Sequence, residues 1–181
     1  MDLMTKAKYR AISAKPYQKR KDDAEIFSGV ASLREFRRAE SIFCYVSVPG
    51  ETDTRALIAH ALTAGKTVSV PLTLPGGEMI PKVIRSFSEL RPGRFGLPEP
   101  GAAAPEPERI DLAIVPCLCA DRAGYRVGRG GGYYDRFLAD FKGKSVLLCP
   151  SSQLYDKVPR EPHDKRCGIV VTETEIIRIK K

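Results

Sequence analysis

Residues 111–141 read DLAIVPCLCADRAGYRVGRGGGYYDRFLADF, and this stretch decides the fold. It opens with an apolar, β-rich run over 111–119, passes through a glycine-rich loop, and ends in a segment from about Tyr133 to Phe141 with helical character. A buried strand that leads through such a loop into a helix is typical of α/β proteins, whose ligands collect beyond the carboxyl ends of parallel strands. The stretch therefore predicts an α/β fold with a binding loop at 120–135.

The chain upstream repeats the order of strand and helix. Residues 41–48, SIFCYVSV, predict a buried strand, and residues 54–64 predict a helix that Thr52 and Asp53 cap. Residues 67–72 predict the next strand, which completes a βαβ unit. Gly65, just after the helix, fits the left-handed position at which helices commonly end.

The remaining strands are expected at 79–84 and 145–149, with a strand or hairpin formed by 168–172 and 176–179. The Pro-, Gly- and Ala-rich residues 91–109 predict a long surface excursion. Together these elements predict a three-layer α/β/α sandwich around a mainly parallel sheet, with some antiparallel strands toward the C-terminus.

Two helices are predicted before the first strand. Residues 2–21 predict a basic helix interrupted at Pro16. Residues 22–39 predict a second helix, capped by Asp22 and Asp23, because their apolar residues recur at helical spacing.

The 181 residues, 43% of them hydrophobic, predict a single domain over 1–181. The sequence has no apolar run of about 18 residues and no apolar region behind its basic N-terminus, so we expect a soluble, cytoplasmic protein. The five cysteines show no zinc-type spacing with the histidines and are expected to be buried, reduced thiols. We expect a monomer, with a homodimer as the alternative.

The net charge of +8 predicts affinity for anions, which include nucleic acids, acidic membranes and phosphorylated cofactors. Charge alone does not choose among these partners. The sequence contains no helix-turn-helix, RNP or zinc-finger signature, so we expect neither a nucleic acid nor a membrane as partner.

The glycine-rich loop from Gly124 to Asp135 is neither a Walker A motif nor a G-x-G-x-x-G motif, since Tyr133 stands at the last glycine position. Its glycines allow close approach of backbone N–H groups to a ligand, and Arg126 and Arg129 add cations, so it suits phosphate. A flexible turn with solvated arginines is the alternative. Asp135 fits equally well as a magnesium ligand or as a carboxylate that complements the helix dipole.

Four ordered segments of the chain resemble the 5-formyltetrahydrofolate cyclo-ligase family, over roughly residues 6–175. The core of the resemblance is GYRVGRGGGYYDRFL at 124–138, preceded by DLAIVPCLCADRAG at 111–124. PGETDTRALI at 49–58 is similar to the substrate segment of the family, and VPREPHDKRCGIVVTE at 158–173 is similar to its ending. The resemblance implies a three-layer α/β sandwich and the MgATP-dependent closure of 5-formyltetrahydrofolate to 5,10-methenyltetrahydrofolate through a phosphorylated formyl intermediate, with release of ADP and phosphate.

The resemblance also implies the site residues. Those matched to the ATP site are Lys6, Arg10, Arg126, Gly128, Arg129, Gly130, Gly131, Gly132, Tyr133 and Tyr134. Those matched to the folate site are Val46, Glu51 and Tyr134, and those matched to the magnesium site are Asp135 and Asp164. Arg129 is implied as the cation that stabilises the γ-phosphate and Tyr134 as a catalytic residue that contacts the substrate. The alternative function is a related protein that binds a pterin and a nucleotide but has another substrate or no catalysis.

Overall fold

A seven-stranded mixed sheet, whose five central strands run parallel, forms the centre of the computed structural model, which describes residues 5–12 and 19–180. The helices are α1 (Lys6–Ile12), α2 (Lys19–Ser32), α3 (Arg34–Arg38), α4 (Arg55–Thr63) and α5 (Tyr133–Asp140). The strands are β1 (Ser41–Cys44), β2 (Thr67–Thr73), β3 (Met79–Ile84), β4 (Arg91–Pro92), β5 (Pro98–Glu99), β6 (Leu112–Val115), β7 (Cys119–Asp121), β8 (Arg126–Val127), β9 (Lys144–Leu148), β10 (Leu154–Tyr155), β11 (Ile169–Val171) and β12 (Ile176–Arg178).

The order of strands in the main sheet is β12-β11-β9-β6-β1-β2-β3. Both edges are antiparallel: β3 pairs with β2 at one edge and β12 pairs with β11 at the other. The predicted, mainly parallel sheet with antiparallel strands toward the C-terminus is therefore confirmed.

Helices cover both faces of the sheet. The side chains of each strand alternate between the two faces, so apolar side chains on each face pack against helices. On one face, Ile42 of β1 belongs to a buried cluster with Val30 of α2 and Ile58 of α4. On the other, Phe43 contacts Phe137 of α5 with ring centroids 4.6 Å apart. This arrangement confirms the three-layer sandwich.

Two small sheets are separate from the main sheet. Strands β10, β7 and β8 form one, and β4 and β5 form the other, within the predicted surface excursion. Helix α1 packs on the three-stranded sheet through Tyr9, whose ring meets that of Tyr155 at 4.9 Å and whose hydroxyl donates to the carbonyl of Lys157 at 3.1 Å.

Two predicted strands are shorter than their apolar runs. The run at 41–48 leaves the sheet after Cys44, although Tyr45, Val46 and Ser47 stay buried. The run at 111–119 divides at Pro116, which has no N–H for the sheet, into β6 and the separate β7.

The predicted helix over 22–39 is two helices, α2 and α3, separated by the extended backbone of Leu33 (φ −62°, ψ 133°). Asp22 and Asp23 do not cap it, because α2 already begins at Lys19; Asp23 instead accepts a hydrogen bond from the N–H of Asp53 at 3.0 Å. Thr52 does not cap α4 either, since its buried hydroxyl has no hydrogen-bond partner among the described residues. Asp53 accepts from the N–H of Arg55 at 2.9 Å, but the N-cap position of α4 is Thr54, whose side chain makes no capping hydrogen bond.

The prediction for Pro16 lies outside the described residues. No helix in the described ranges is long and apolar enough to cross a membrane.

Candidate functional site

A cavity of about 1040 Å³ lies beyond the carboxyl ends of β1 and β6. The segments that follow these two strands, the glycine-rich loop, α1 and the residues after β10 all contribute to its wall. Every residue that the sequence predicted for the site lines this one cavity: Lys6, Arg10, Val46, Glu51, Arg126, Gly128, Arg129, Gly130, Gly131, Gly132, Tyr133, Tyr134, Asp135 and Asp164.

The glycine-rich loop takes backbone conformations that L side chains rarely adopt, with φ of 99° at Gly130 and 70° at Gly132. At Gly131 a Cβ would lie 2.6 Å from the ring of Tyr133, so the ring folds back over the loop. Helix α5 begins directly after Gly132, and no side chain caps its first N–H groups. A helix start with uncapped N–H groups, with the guanidinium of Arg10 close to Gly130, is suited to an anion.

Arg136 fixes the outer side of this loop. Its Nη1 donates to the carbonyl of Gly131 at 2.8 Å and to that of Gly77 at 2.9 Å, which ties the loop to the turn between β2 and β3. Sequence reasoning did not single out Arg136, because the contact with Gly77 joins residues far apart in the chain.

Two cations of α1 face the cavity. Arg10 donates from Nε to the carbonyl of Gly128 at 2.9 Å, and Lys6 Nζ lies 2.9 Å from carboxylate oxygens of both Glu161 and Asp164. Burial alone would lower the pKa of Lys6, but its hydrogen bonds to Asp164 and Glu161 outweigh this and raise the pKa. The ammonium group therefore stays charged at the edge of the loop.

Arg126 and Asp135 form a pair in the cavity wall. The side chain of Arg126 is 5% exposed; Nη2 donates to Oδ1 of Asp135 at 3.0 Å and Nη1 donates to the carbonyl of Lys165 at 2.7 Å. Oδ1 of Asp135 also accepts from the N–H of Lys165 at 3.0 Å. These contacts bind the loop to the C-terminal segment.

Arg129 and Glu51 meet across the cavity. Nε of Arg129 lies 3.2 Å from Oε1 of Glu51, and Oε2 of Glu51 accepts from the N–H of Val48 at 3.3 Å. Arg129 is 57% exposed and Glu51 only 12%, so the carboxylate is held in the wall while the guanidinium stays open to a ligand. The contact joins the two predicted subsites.

Tyr134 and Val46 supply an apolar floor between these subsites. Val46 is buried, and the half-buried ring of Tyr134 lies 6.3 Å from that of Phe43. The hydroxyl of Tyr134 is protonated at neutral pH, as an ordinary phenol is, and burial, with smaller effects of Cys44 and Glu51, raises its pKa further. A protonated phenol in an apolar wall can donate a hydrogen bond to a ligand.

Three potential metal ligands, Glu161, His163 and Asp164, lie with their ligand atoms within 4.8 Å of one another. Burial alone would raise the pKa of Asp164, but hydrogen bonds from Lys6 and from the N–H of Glu161 hold it below its usual range. Of the two predicted magnesium ligands, the structure places Asp164 in this cluster and Asp135 outside it.

The wall opposite the loop was not foreseen as part of the site. Pro71, Thr73, Met79 and the segment 95–99 line it. Phe95 is 72% exposed and has a left-handed backbone (φ 59°), and Glu99 is buried, accepting from the hydroxyl of Thr73 at 2.5 Å. The sequence signal was an aromatic residue within a run of glycines and prolines.

The family profile and the relatives that match this chain carry the same name. The profile of the 5-formyltetrahydrofolate cyclo-ligase family matches residues 3–173. The 5-formyltetrahydrofolate cyclo-ligase of Mycolicibacterium smegmatis is 32% identical over 167 residues, covering 87% of this chain and 85% of that protein. The protein of the same name from Escherichia coli K12 is 32% identical over 146 residues, covering 76% and 80%.

Solved structures agree in fold. The 5,10-methenyltetrahydrofolate synthetase of Aquifex aeolicus has a TM-score of 0.84 and 28% identity, covering 97% of this chain and 91% of that one. A 5,10-methenyltetrahydrofolate synthetase from Mycoplasma pneumoniae has a TM-score of 0.74, covering 94% and 99%; at 19% identity this likeness shows the fold alone.

Proposed function

The chain belongs to the 5-formyltetrahydrofolate cyclo-ligase family, and on this premise we propose that it uses MgATP to close 5-formyltetrahydrofolate to 5,10-methenyltetrahydrofolate in the cytoplasm. The observation that carries the proposal is the contact of Arg129 with Glu51, at 3.2 Å, within one cavity. This contact supports a site in which the cation proposed to bind phosphate lies beside the carboxylate proposed to hold the pterin.

The phosphates of ATP would lie on the glycine-rich loop and the start of α5. The free N–H groups there favour an anion, and Lys6, Arg10 and Arg129 add positive charge from two sides. Phosphoryl transfer depends mainly on positioning and charge stabilisation, which this set supplies without a nucleophilic side chain.

The folate would lie across Val46 and Tyr134 with its pterin ring toward Glu51. A buried carboxylate accepts well from the amino group and ring N–H of a pterin. Tyr134, whose phenol is protonated at neutral pH, can donate to the substrate while its ring packs on the floor.

The reaction proceeds in two displacements. The formyl oxygen attacks the γ-phosphorus, an O–P bond forms, and the bond between the γ-phosphorus and the bridging oxygen breaks to release ADP. Nitrogen 10 then attacks the formyl carbon, loses its proton, and the phosphate leaves with the former formyl oxygen. Arg129 would stabilise the negative charge that shifts during the first displacement.

The acidic cluster fits a magnesium ion. The carboxylates of Glu161 and Asp164 are the oxygen ligands that Mg²⁺ prefers. The ion would replace the ammonium of Lys6, which lies 2.9 Å from each of them, as their cationic partner. When bound, magnesium would neutralise phosphate charge beside the loop. Asp135 would act through its contact with Arg126 or through a water molecule.

The proposal is tested by mixing the protein with 5-formyltetrahydrofolate, ATP and Mg²⁺ and following the near-ultraviolet absorbance of the methenyl product. We expect an ATP- and Mg²⁺-dependent rise that Arg129→Ala slows by about 100-fold or more, the effect of losing a charge-stabilising donor. Glu51→Gln should raise the KM for the folate and leave the KM for ATP near that of the wild type.

Arg122→Ala is the matched control, because Arg122 is an exposed arginine that pairs with Glu175 and does not line the cavity. Absence of any product from folded protein that still binds ATP would contradict the proposal and favour a binding protein or another pterin substrate.

A further inference from the structure

A second, smaller cleft of about 230 Å³ adjoins the large cavity. The two share Gly96 and Pro98, which therefore form part of the wall of both. The rest of the cleft is lined by Arg55, Phe87, Leu90, Arg91 and Pro92.

Two arginines give this cleft its charge. The guanidinium of Arg55, the first residue of α4, lies 5.7 Å from the centre of the Phe87 ring. Nη1 of Arg91 donates to the carbonyls of Ser88 at 2.5 Å and Leu90 at 2.8 Å. These contacts orient both side chains although both residues are exposed.

Within the part of the chain that the structure describes, neither Arg55 nor Arg91 forms an ion pair with a carboxylate. Most other arginines with defined contacts at the surface do: Arg109, Arg122 and Arg178 each pair with a glutamate. Two oriented guanidinium groups without an acidic partner, beside a cleft, attract an anion and can bind carboxylate oxygens in pairs.

The proposed substrate carries such an anion, which would lie near the smaller cleft. A folate consists of a pterin, an aminobenzoyl ring and a glutamate, in that order. With the pterin at Glu51, the aminobenzoyl ring would follow the apolar wall of Pro71, Met79 and Leu97 and leave the cavity at Gly96. The glutamate would then reach the cleft that holds the two arginines.

We propose that Arg55 and Arg91 bind the carboxylates of the glutamate tail of the folate, an inference that rests on the proposed function. Each γ-linked glutamate added to the tail adds one carboxylate within reach of the cleft. Folates with longer tails therefore bind more tightly, and the preference depends on ionic strength because both arginines are exposed.

The test compares 5-formyltetrahydrofolate carrying one glutamate with the same compound carrying three γ-linked glutamates, by KM and by calorimetric binding. In the double variant Arg55→Gln/Arg91→Gln we expect the KM and Kd of the triglutamate to rise about tenfold, the effect of losing one or two exposed charge-assisted contacts. The monoglutamate should lose less, and kcat and the KM for ATP should not change.

Arg34→Gln/Arg38→Gln is the matched control, since it removes the same charge from α3 at residues that line neither cavity. It should leave the triglutamate preference intact. An unchanged preference in the Arg55/Arg91 variant would overturn the inference, as would an equal loss for ATP and both folates. If the wild type yields no product, the proposed function fails, and calorimetry with the two folates still decides whether these arginines bind the tail.

Discussion

At the scale of single residues, Lys6 and Asp164 form an ion pair that is largely shielded from water, with 17% and 7% of their side chains exposed. The folded state lowers the pKa of Asp164 and raises that of Lys6. The stability that Asp164 contributes is therefore present above its unfolded pKa of about 3.9 and is lost as pH falls through the native value. The contribution of Lys6 is present below about pH 10.4 and is lost as pH rises through its native pKa.

We predict that Asp164→Asn lowers the free energy of unfolding by about 1–3 kcal/mol at pH 7, because Lys6 and the N–H of Glu161 lose a charged acceptor. The difference from the wild type should shrink below about pH 4 and above about pH 10.4. Urea unfolding at a series of pH values measures it.

Glu161→Gln is the control for this pair, since Glu161 lies at the same 2.9 Å from Lys6 but is 53% exposed. It should cost less than about 1 kcal/mol, as exposed ion pairs do. A loss in Asp164→Asn that does not vary with pH would show that packing, and not charge, stabilises this part of the wall.

At the scale of elements, the glycine-rich loop and the end of α4 both depend on a glycine with positive φ. Gly65 (φ 75°) ends α4, with the N–H of Lys66 bonded to the carbonyl of Ala61 at 3.1 Å, and a Cβ there meets nothing within 4 Å. Gly130 (φ 99°) has the same requirement, but its Cβ would lie 3.1 Å from Arg10.

Alanine at either glycine is expected to lower the free energy of unfolding by about 1–2 kcal/mol, because the left-handed region is unfavourable for an L side chain. Gly130→Ala should in addition weaken ATP binding about tenfold, since it displaces Arg10 and narrows the approach to the loop. Gly65→Ala, far from the loop along the chain, should leave ATP binding unchanged. Calorimetric titration with ATP tests both predictions. Wild-type affinity for ATP in Gly130→Ala would show that the phosphates do not bind at the glycine-rich loop.

The sequence predicts those helices and strands that are marked by the periodicity and the turn residues of their own segment. Helix α5, β3, β9 and the final hairpin lie where periodicity and turn residues put them, and Gly65 ends α4 as expected. In the apolar run at 111–119, only Pro116 indicates that there are two strands. The residues of β6 and of β7 are all buried, so the hydrophobic pattern does not change between them.

Contacts between distant segments could not be predicted in the same way. The segment 91–109 reads as a surface excursion, yet Glu99 is buried and accepts from Thr73, so part of it becomes cavity wall. The pairing of Arg126 with Asp135 likewise follows from how β8 and α5 approach each other and not from residue type. The site residues were found through the family resemblance, whereas residue chemistry alone indicated only a phosphate loop.

At the scale of the whole molecule, the five cysteines report on how the layers unfold. All five are buried, as predicted. Cys44 lies in the cluster under α2 and α4, whereas Cys117, Cys149 and Cys167 lie on the opposite face. Cys119 lies in the third cluster, with Tyr9 of α1 and Val127 of the three-stranded sheet.

Burial raises the pKa of Cys44, and it raises that of Cys167 to about 11, so few thiolates form at pH 8 even where a reagent could enter. We predict that the native protein reacts negligibly with a thiol reagent, and that urea exposes all five cysteines in one transition that coincides with the loss of far-ultraviolet circular dichroism. The reason is that only residues 116–118 separate β6 from β7, so we expect the small sheet to unfold together with the main one. Mass spectrometry of labelled peptides identifies each cysteine along the transition. Labelling of Cys119 at a lower urea concentration than Cys44 would contradict a single cooperative domain. It would show that α1 and the three-stranded sheet open as a separate unit. The part of the cavity wall that Lys6 and Arg10 form would open with them.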